Sequence, residues 1–274
     1  MANNPRRAAS LAAGTAGLVL VLVCTLLGPH LVSADPLRVD LALRLRPPDA
    51  AHWLGCDGLG RDILARLAVA ARRSLGIAAA VVTLSTITGV LLGAVAGYFG
   101  GWVDEGIARI IDTLLAFPGL LLAIALAAVL GPGTVNTIIA LSALGWTGYA
   151  RLARSEVASL TRRDFTEAAR ALGASPARII IRHLLPLAAP ALVVQATFGF
   201  SGAILADATL SFLGLGASPP TPTWGGMLDE GRQLMVPAPH VLIAPGAALT
   251  ATIVALQLLG DGLRDRLALP TTAR

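Results

Sequence analysis

The residues of this chain that could do chemistry form one short charged segment and one isolated acid. The segment, DFTEAARALGASPARIIIRHLLP, covers residues 164–186, and the acid is Asp207 within an apolar run. Neither pattern is that of a catalytic site, because the chain has no HExxH or GxSxG motif and no paired acids in its apolar runs. We therefore predict no catalytic residue, which disfavours a membrane enzyme such as an intramembrane protease.

The cations argue against nucleotide hydrolysis by this chain. All 21 basic residues are Arg, whereas a phosphate-binding P-loop needs a Lys. The histidines have no partners at metal-ligand spacing, and Cys24 and Cys56 indicate neither a disulfide framework nor a metal site. We predict no cofactor and no metal, and we expect any ATP hydrolysis to occur on a separate polypeptide.

Composition indicates that much of the chain lies in lipid. Hydrophobic residues make up 55% of the 274 and charged residues 14%, with a mean hydropathy of +0.74. A helical span needs about 20 mainly apolar residues. The sequence predicts an all-α integral membrane protein with six transmembrane helices. The apolar runs are about 8–32, 75–99, 113–130, 135–150, 187–215 and 241–260.

The spans suggest a division of the chain into three parts. Residues 1–73 hold the first span and an extracytoplasmic loop with a short helix over 61–73, residues 74–265 form the transmembrane domain, and residues 266–274 form a tail. The first run also has features of a signal peptide, with Val32-Ser33-Ala34 as a candidate cleavage site. Its length favours a retained span.

The arginine distribution predicts that both termini are cytoplasmic. In that orientation the inner segments hold 13 Arg and the outer segments 8. The basic excess therefore indicates membrane topology rather than nucleic-acid binding. Trp102, Trp146 and Trp224 lie near predicted boundaries and are interpreted as interface anchors.

Glycines on the second span indicate a close helix contact. Gly89, Gly93 and Gly97 recur every four residues, so they share one helical face. Small residues let two helix backbones approach closely. The pattern needs no ligand to explain it.

The segment 164–186 contains two helix-start patterns and a stop between them. Asp164 and Glu167 have the spacing of an N-cap and N3 pair, a capping box. Gly173 fits a helix C-terminus. Ser175 followed by Pro176 fits the start of a second helix, with Ser as the cap and Pro at the first helical position.

These patterns predict two short cytoplasmic helices joined at a stiff corner. Pro186 marks the return to the membrane region. Ala168 and Ala169 give the first helix a small-faced surface suited to docking in a groove on a partner. The alternative is a plain loop between spans, but a plain loop needs neither two caps nor a defined corner.

This segment resembles the EAA loop of ABC importer permeases. The match covers Glu167, Ala168, Ala169, Gly173 and Leu185-Pro186. His183 stands where the family usually has an apolar residue. In that family the loop is the coupling helix that seats in the cleft of the ATPase subunit, so the resemblance implies that role here for Asp164, Glu167, Ala168, Ala169, Gly173, Ser175, Pro176 and Pro186.

Four further segments resemble the dipeptide/oligopeptide/nickel permease subfamily, in particular its second permease subunit. Two residues depart from that pattern: Leu187, where Asn is usual, and Asp207, where Glu is expected. The matching segments are HWLGCDGLGRDILARL (52–67), GYFGGWVDEGIARIIDTLLAFPGLLLAI (97–124), WTGYARLARSEV (146–157) and LSFLGLGASPPTPTWGGML (210–228).

The resemblance implies a type I ABC importer permease fold in a bacterial plasma membrane. It also implies four kinds of partner: a second homologous permease, two ABC ATPase subunits, an extracytoplasmic solute-binding protein, and membrane lipid. The solute is left open among dipeptides, oligopeptides, nickel chelates and glutathione-like compounds. The alternative function is a stand-alone secondary transporter, which would need more intramembrane charges than Asp207 alone.

Two features keep two interpretations each. Asp207 is either a pathway residue that meets the ammonium group of a peptide or a structural acid, and the structural interpretation is favoured. The proline-stiffened segment 214–226 either shapes an outer gate or receives the binding protein, and the alternative is a packed outer loop.

Overall fold

The protein is all-helical over the residues that the computed structural model describes, which are 5–31 and 35–267, with side chains described for 11–25 and 35–267. The candidate cleavage site at 32–34 and most of the predicted tail lie outside these residues. A short 3-10 turn, Leu41–Leu43, lies between the first two α-helices. The α-helices are α1 (Pro5–Leu31), α2 (Ile63–Phe99), α3 (Gly101–Leu115), α4 (Gly119–Leu130), α5 (Thr134–Thr161), α6 (Asp164–Ala171), α7 (Pro176–Ile179), α8 (Leu185–Phe212), α9 (Trp224–Arg232) and α10 (His240–Leu267).

Several helices are long and apolar enough to cross a membrane. Within the described residues, three qualify singly: Ile63–Phe99, Pro176–Phe212 and His240–Leu267. The pair α3 and α4 qualifies as a fourth if its two bent parts form one span. The integral membrane fold is therefore confirmed, whereas the predicted count of six spans stays a prediction.

The second span is longer than predicted. The expected short helix over 61–73 and the span over 75–99 are one continuous helix of 37 residues, α2. Its start is fixed by Asp62, whose side chain accepts a hydrogen bond from the backbone N–H of Ala65 at 2.8 Å. The exposed pair Arg72 and Arg73 does not interrupt it, because Arg is a good helix former.

The predicted third span is broken. The structure has two helices, α3 and α4, that meet at 82°. The break lies at Pro118, which has an extended backbone (ψ 114°) and precedes the first residue of α4. Proline removes a backbone donor and clashes with the preceding turn, which explains the break. The predicted polar link over 100–112 is consequently part of an amphipathic helix, α3.

The glycine face of α2 makes the predicted close contact. It packs along α5, and a Cβ atom on any of Gly89, Gly93 or Gly97 would collide with α5 backbone atoms. The atoms that it would meet belong to Trp146 and Ala150 for Gly89, to Ala150 for Gly93 and to Arg154 for Gly97. Small residues at four-residue spacing thus fix the central helix pair of the fold.

The remaining helices surround this pair. α8 packs against α2, α5 and α10, and α1 packs against α10. α9 covers α8 and α10 at the end where α2 begins. Its first residue, Trp224, is 2% exposed and belongs to the main core. The interpretation of Trp224 as an interface anchor was therefore wrong, because the proline-rich segment folds back over the bundle.

Candidate functional site

The segment 164–186 begins with a helix, α6, but not through the predicted capping box. Asp164 is the first helical residue, and the N-cap is Arg163, which makes no side-chain cap bond. The Arg163 carbonyl accepts hydrogen bonds from the N–H groups of Thr166 and Glu167, at 2.9 and 3.3 Å. Asp164 and Glu167 therefore act on the first turn through their charge on the helix dipole, not as a reciprocal cap.

The end of α6 is the predicted glycine stop. Gly173 has φ of +78°, and its N–H donates to the Arg170 carbonyl at 2.9 Å. The N–H of Ala174 donates to the Ala169 carbonyl at 3.0 Å. These two bonds form a Schellman motif, which satisfies carbonyls that a helix end would otherwise leave open.

The second helix starts as predicted but does not end where predicted. The Ser175 hydroxyl accepts a hydrogen bond from the Arg178 N–H at 3.4 Å, and Pro176 is in the first turn of α7. α7 then continues through a π-helical turn, Ile180–Leu184, directly into α8. Pro186 therefore does not mark a boundary, because a π-type bond from the Leu185 N–H to the Ile180 carbonyl precedes it.

α6 presents an exposed outer surface while its inner side is held to the bundle. Leu172 is 88% exposed and Phe165 is 40% exposed, and Glu167 and Ala168 are also exposed. Thr166 is fully buried, and its hydroxyl donates to the Leu160 carbonyl at 2.9 Å. α6 is thus a short helix fixed at the end of α5, with apolar side chains projecting from it.

One side-chain contact ties α6 to the end of α2. The guanidinium of Arg170 lies 5.1 Å from the ring centroid of Tyr98, in a cation–π arrangement. Its Nε also donates to the Tyr98 hydroxyl at 3.4 Å. Ala169 packs on the inner side of α6 against a small apolar cluster that includes Ile179 and Leu184. The structure therefore brings the predicted coupling residues 164–176 into one compact unit.

A cavity of about 370 Å³, which we name the central cavity, lies between α2, α4, α5 and α8, with Leu115 of α3 also in its lining. Its polar side chains are Ser85, Thr147, Tyr149 and Gln195, and none of the described residues that line it is charged. Ser85 and Tyr149 are buried, and neither hydroxyl makes a hydrogen bond of good geometry with a described residue. Buried hydroxyls beside this largely apolar cavity are placed to contact water or a polar group of a solute.

Asp207 does not line this cavity. It lies in α8, near the end that is farther along the chain from residues 164–176, and is fully buried. Neither carboxylate oxygen accepts a hydrogen bond of good geometry from a described residue, although the hydroxyls of Ser74 and Ser211 lie beside it. Its role in the pathway stays untested.

Sequence reasoning missed a buried ionic cluster at the α9 end of the bundle. The cluster consists of Asp57, Arg61, Arg66 and Glu230. Arg66 donates to both Glu230 oxygens, at 2.6 and 2.9 Å, and to Asp57. Arg61 donates to Asp57 at 2.7 Å and to Glu230 at 3.0 Å. Two cations and two anions thus form a neutral network that joins the loop before α2, the start of α2 and α9.

The loop beneath this cluster is also tightly bonded. Asp57 accepts backbone hydrogen bonds from Leu59 and Arg61, at 2.8 and 3.0 Å. The His52 ring lies 2.7 Å from the Asp62 carboxylate. The thiol of Cys56 is buried, and burial together with the nearby Asp62 and Asp57 raises its pKa to about 11. The motif at 52–67 therefore builds a rigid corner at the start of α2.

The fold and these sites define an integral membrane transport component. Residues 89–269 match the family model described as "Binding-protein-dependent transport system inner membrane component". The chain belongs to this family and is an importer permease.

Two relatives extend the match over most of the chain. The dipeptide transport system permease protein DppC of Alkalihalophilus pseudofirmus is 42% identical over 254 residues, which cover 92% of this chain and 84% of that protein. The glutathione transport system permease protein GsiD of Pectobacterium atrosepticum is 46% identical over 220 residues, which cover 80% and 73%. The resemblance to the peptide permease subfamily is therefore confirmed.

A solved structure shares the fold. An inward-facing structure of the MetNI methionine ABC transporter contains a chain that aligns with a TM-score of 0.61 and 19% identity. The alignment covers 74% of this chain and 97% of that one. This match confirms the predicted fold class. At 19% identity it shows the fold alone and does not identify the solute.

Proposed function

We propose that α6 is the coupling helix through which a separate ATPase drives this permease. The observation that carries the proposal is the exposure of Leu172 and Phe165 on a helix that is otherwise anchored to the bundle. Removal of exposed apolar side chains from water favours the association of two proteins. A partner with an apolar cleft would bury Leu172.

The anchoring of α6 gives it a route to the membrane helices. Thr166 joins it to α5 and Arg170 joins it to α2, while the Gly173 corner leads into α7. Motion of the helix by a partner would therefore displace α2, α5 and α8 together. These are three of the helices that line the central cavity.

The central cavity is proposed as half of the translocation pathway, with the other half supplied by a second homologous permease. An uncharged lining with hydroxyl and amide groups suits a peptide backbone, which offers hydrogen-bond donors and acceptors. The relatives are named for transport of dipeptides and of glutathione, a small peptide. The proposed solute is therefore a short peptide.

The complete importer would contain two ATPase subunits and an extracytoplasmic solute-binding protein. The coupling segment would face the cytoplasm, as would both termini. The corner formed by residues 52–67 and α9 would then face outward, where the binding protein delivers solute. The assignment of sides is supported by the arginine excess near the coupling segment.

A test of coupling uses the tagged full chain expressed in a host with its neighbouring transporter genes. Leu172→Glu should abolish copurification of the ATPase, because it places a charge where an apolar contact is expected. Val236→Glu is a matched control, since Val236 is 89% exposed but lies between α9 and α10. Gly173→Pro should also uncouple peptide uptake, because φ of +78° is inaccessible to proline.

The proposal fails if Leu172→Glu retains the ATPase and full uptake. The alternative function, a secondary transporter, is tested by reconstituting the chain alone in liposomes with an ion gradient. Peptide accumulation without any ATPase would establish that alternative.

A further inference from the structure

A second cavity, of about 380 Å³, opens beside the coupling segment between the end of α2, α3 and α5. We name it the arginine pocket, and we define it by Gly97, Gly100, Asp104, Arg151, Arg154 and Arg162. Its size falls within the range of about 300–1,000 Å³ that is usual for small-molecule sites. None of the roles described above uses it.

The arginine pocket carries more positive than negative charge. Arg154 is paired with Asp104 through two hydrogen bonds, at 2.5 and 2.7 Å. The side chains of Arg151 and Arg162 form no hydrogen bond or ion pair with any described residue. The next carboxylate that acts on Arg154 is Asp112. Two arginines of the pocket are therefore free to bind an anion.

Arg151 and Arg162 lie on the same face of the α5 segment that lines the pocket. Residues 151, 155, 158 and 162 recur at steps of three and four along α5, so they share one face. Arg151 and Arg162 have long, flexible side chains at the two ends of this face, so both can reach toward an anion that lies between them. The α2 wall opposite is built from Gly and Ala, which leave the space beside the guanidinium groups unfilled.

Aromatic residues place the pocket at the level of lipid headgroups. Phe99 is 57% exposed and Trp102 is 85% exposed, and both lie within a few residues of Gly100 in the pocket wall. Exposed aromatic side chains at the ends of membrane helices lie at the boundary between lipid and water. At this level of the membrane, basic pockets between helices bind the headgroups of anionic phospholipids.

We propose that the arginine pocket binds the phosphate of an anionic phospholipid in the leaflet that contains the coupling segment. Arg151 and Arg162 donate to the phosphate oxygens, and Arg154 is held in place by Asp104 as the fixed wall of the site. The acyl chains extend past Phe99 into the bilayer. The inference rests on the proposed function only in naming this leaflet as cytoplasmic.

The test measures lipid binding to the purified full chain by native mass spectrometry. The probes are phosphatidylglycerol and phosphatidylcholine with identical acyl chains. The wild-type chain should retain phosphatidylglycerol preferentially. The double variant Arg151→Gln/Arg162→Gln should bind it at least about 10-fold more weakly, since a single hydrogen bond to a charged group contributes about that factor.

Two further variants separate the pocket from general surface charge. Arg178→Gln/Arg182→Gln removes the same charge from exposed positions nearby but outside the pocket, and it should leave binding unchanged. Ser155→Leu keeps every arginine and fills the pocket from an exposed lining position, and it should weaken binding.

Three results would overturn the proposal. They are equal retention of the two lipids, equal losses in the two double variants, and displacement of phosphatidylglycerol by inorganic phosphate, which would assign the pocket to a free anion. The assay contains no ATPase and no peptide, so a failure of ATPase coupling leaves its result unchanged.

Discussion

Arg66 and Glu230 form a two-bonded ion pair across 164 residues of sequence, with N–O distances of 2.6 and 2.9 Å. The Arg66 side chain is 3% exposed, whereas that of Glu230 is 41% exposed. Asp57, which is 1% exposed, is the second acceptor of Arg66. The buried arginine is therefore compensated by one buried and one partly exposed carboxylate.

Asp57→Asn should destabilise the protein strongly. The substitution preserves size but leaves Arg61 and Arg66 with one carboxylate between them. Breaking a buried ion pair by removal of one partner costs about 3–5 kcal/mol. Thermal unfolding of the detergent-purified chain should show a clear drop in Tm. Glu105→Gln breaks an exposed pair with Arg109 and should cost only about 0.3–0.5 kcal/mol. Equal Tm values for the two variants would contradict a stabilising role for the cluster.

Gly93→Ala should weaken the central helix pair. Its Cβ would meet the backbone of Ala150 and the Cβ of Ala153. Overpacking of this kind costs about 1–3 kcal/mol. Gly106→Ala is the matched control, because a Cβ there meets open space on α3 and Ala favours a helix by up to about 1 kcal/mol. The two variants should shift Tm in opposite directions, and a stabilising Gly93→Ala would refute the close-packing account.

Asp207→Asn should leave the fold intact or stabilise it. The carboxylate is fully buried without a well-aligned donor, and an amide adds two donors beside the hydroxyls of Ser74 and Ser211. We expect an unchanged or higher Tm and retained peptide uptake, because the side chain does not reach the central cavity. Loss of uptake at normal Tm would instead support a pathway role.

The raised pKa of the Cys56 thiol predicts that the free energy of unfolding depends on pH in the alkaline range. Its pKa in the folded protein is raised from 9.0 to about 11, chiefly by burial. The folded state therefore keeps a proton that the unfolded state loses, so the free energy of unfolding should fall as pH rises from about 9 to about 11. Thermal unfolding across this range measures the slope. Cys56→Ala removes the titrating thiol, and an identical slope in that variant would assign the effect to other groups.

Local patterns were predicted well where one helix face or one turn decides the outcome. The glycine spacing on α2, the stop at Gly173 and the start at Ser175 needed only neighbouring residues. The Asp164 cap failed because α6 begins one residue earlier than the capping pattern requires. The predicted span over 113–130 is broken because the backbone constraint of Pro118 ends the helix before it.

The long-range features could not be obtained from the sequence. The sequence around Arg66 does not indicate that Glu230 forms an ion pair with it. The position of Trp224 in the sequence is typical of a boundary residue, whereas the fold buries it. The arginine pocket likewise depends on three helices that meet at one end. Such sites require the packing of the whole bundle, which periodicity alone does not specify.

The continuous helix from Pro176 to Phe212, which contains a π-helical turn and Pro190, has a mechanical consequence. Thirty-seven residues joined through a single π-helical turn make a rod about 55 Å long, at about 1.5 Å per residue. A tilt of about 5° about the Pro176 end would move the Phe212 end sideways by about 5 Å, which is close to one helical pitch. When this helix rotates as a rigid body, a small displacement on one side of the bilayer becomes a displacement of about the size of a side chain beneath α9.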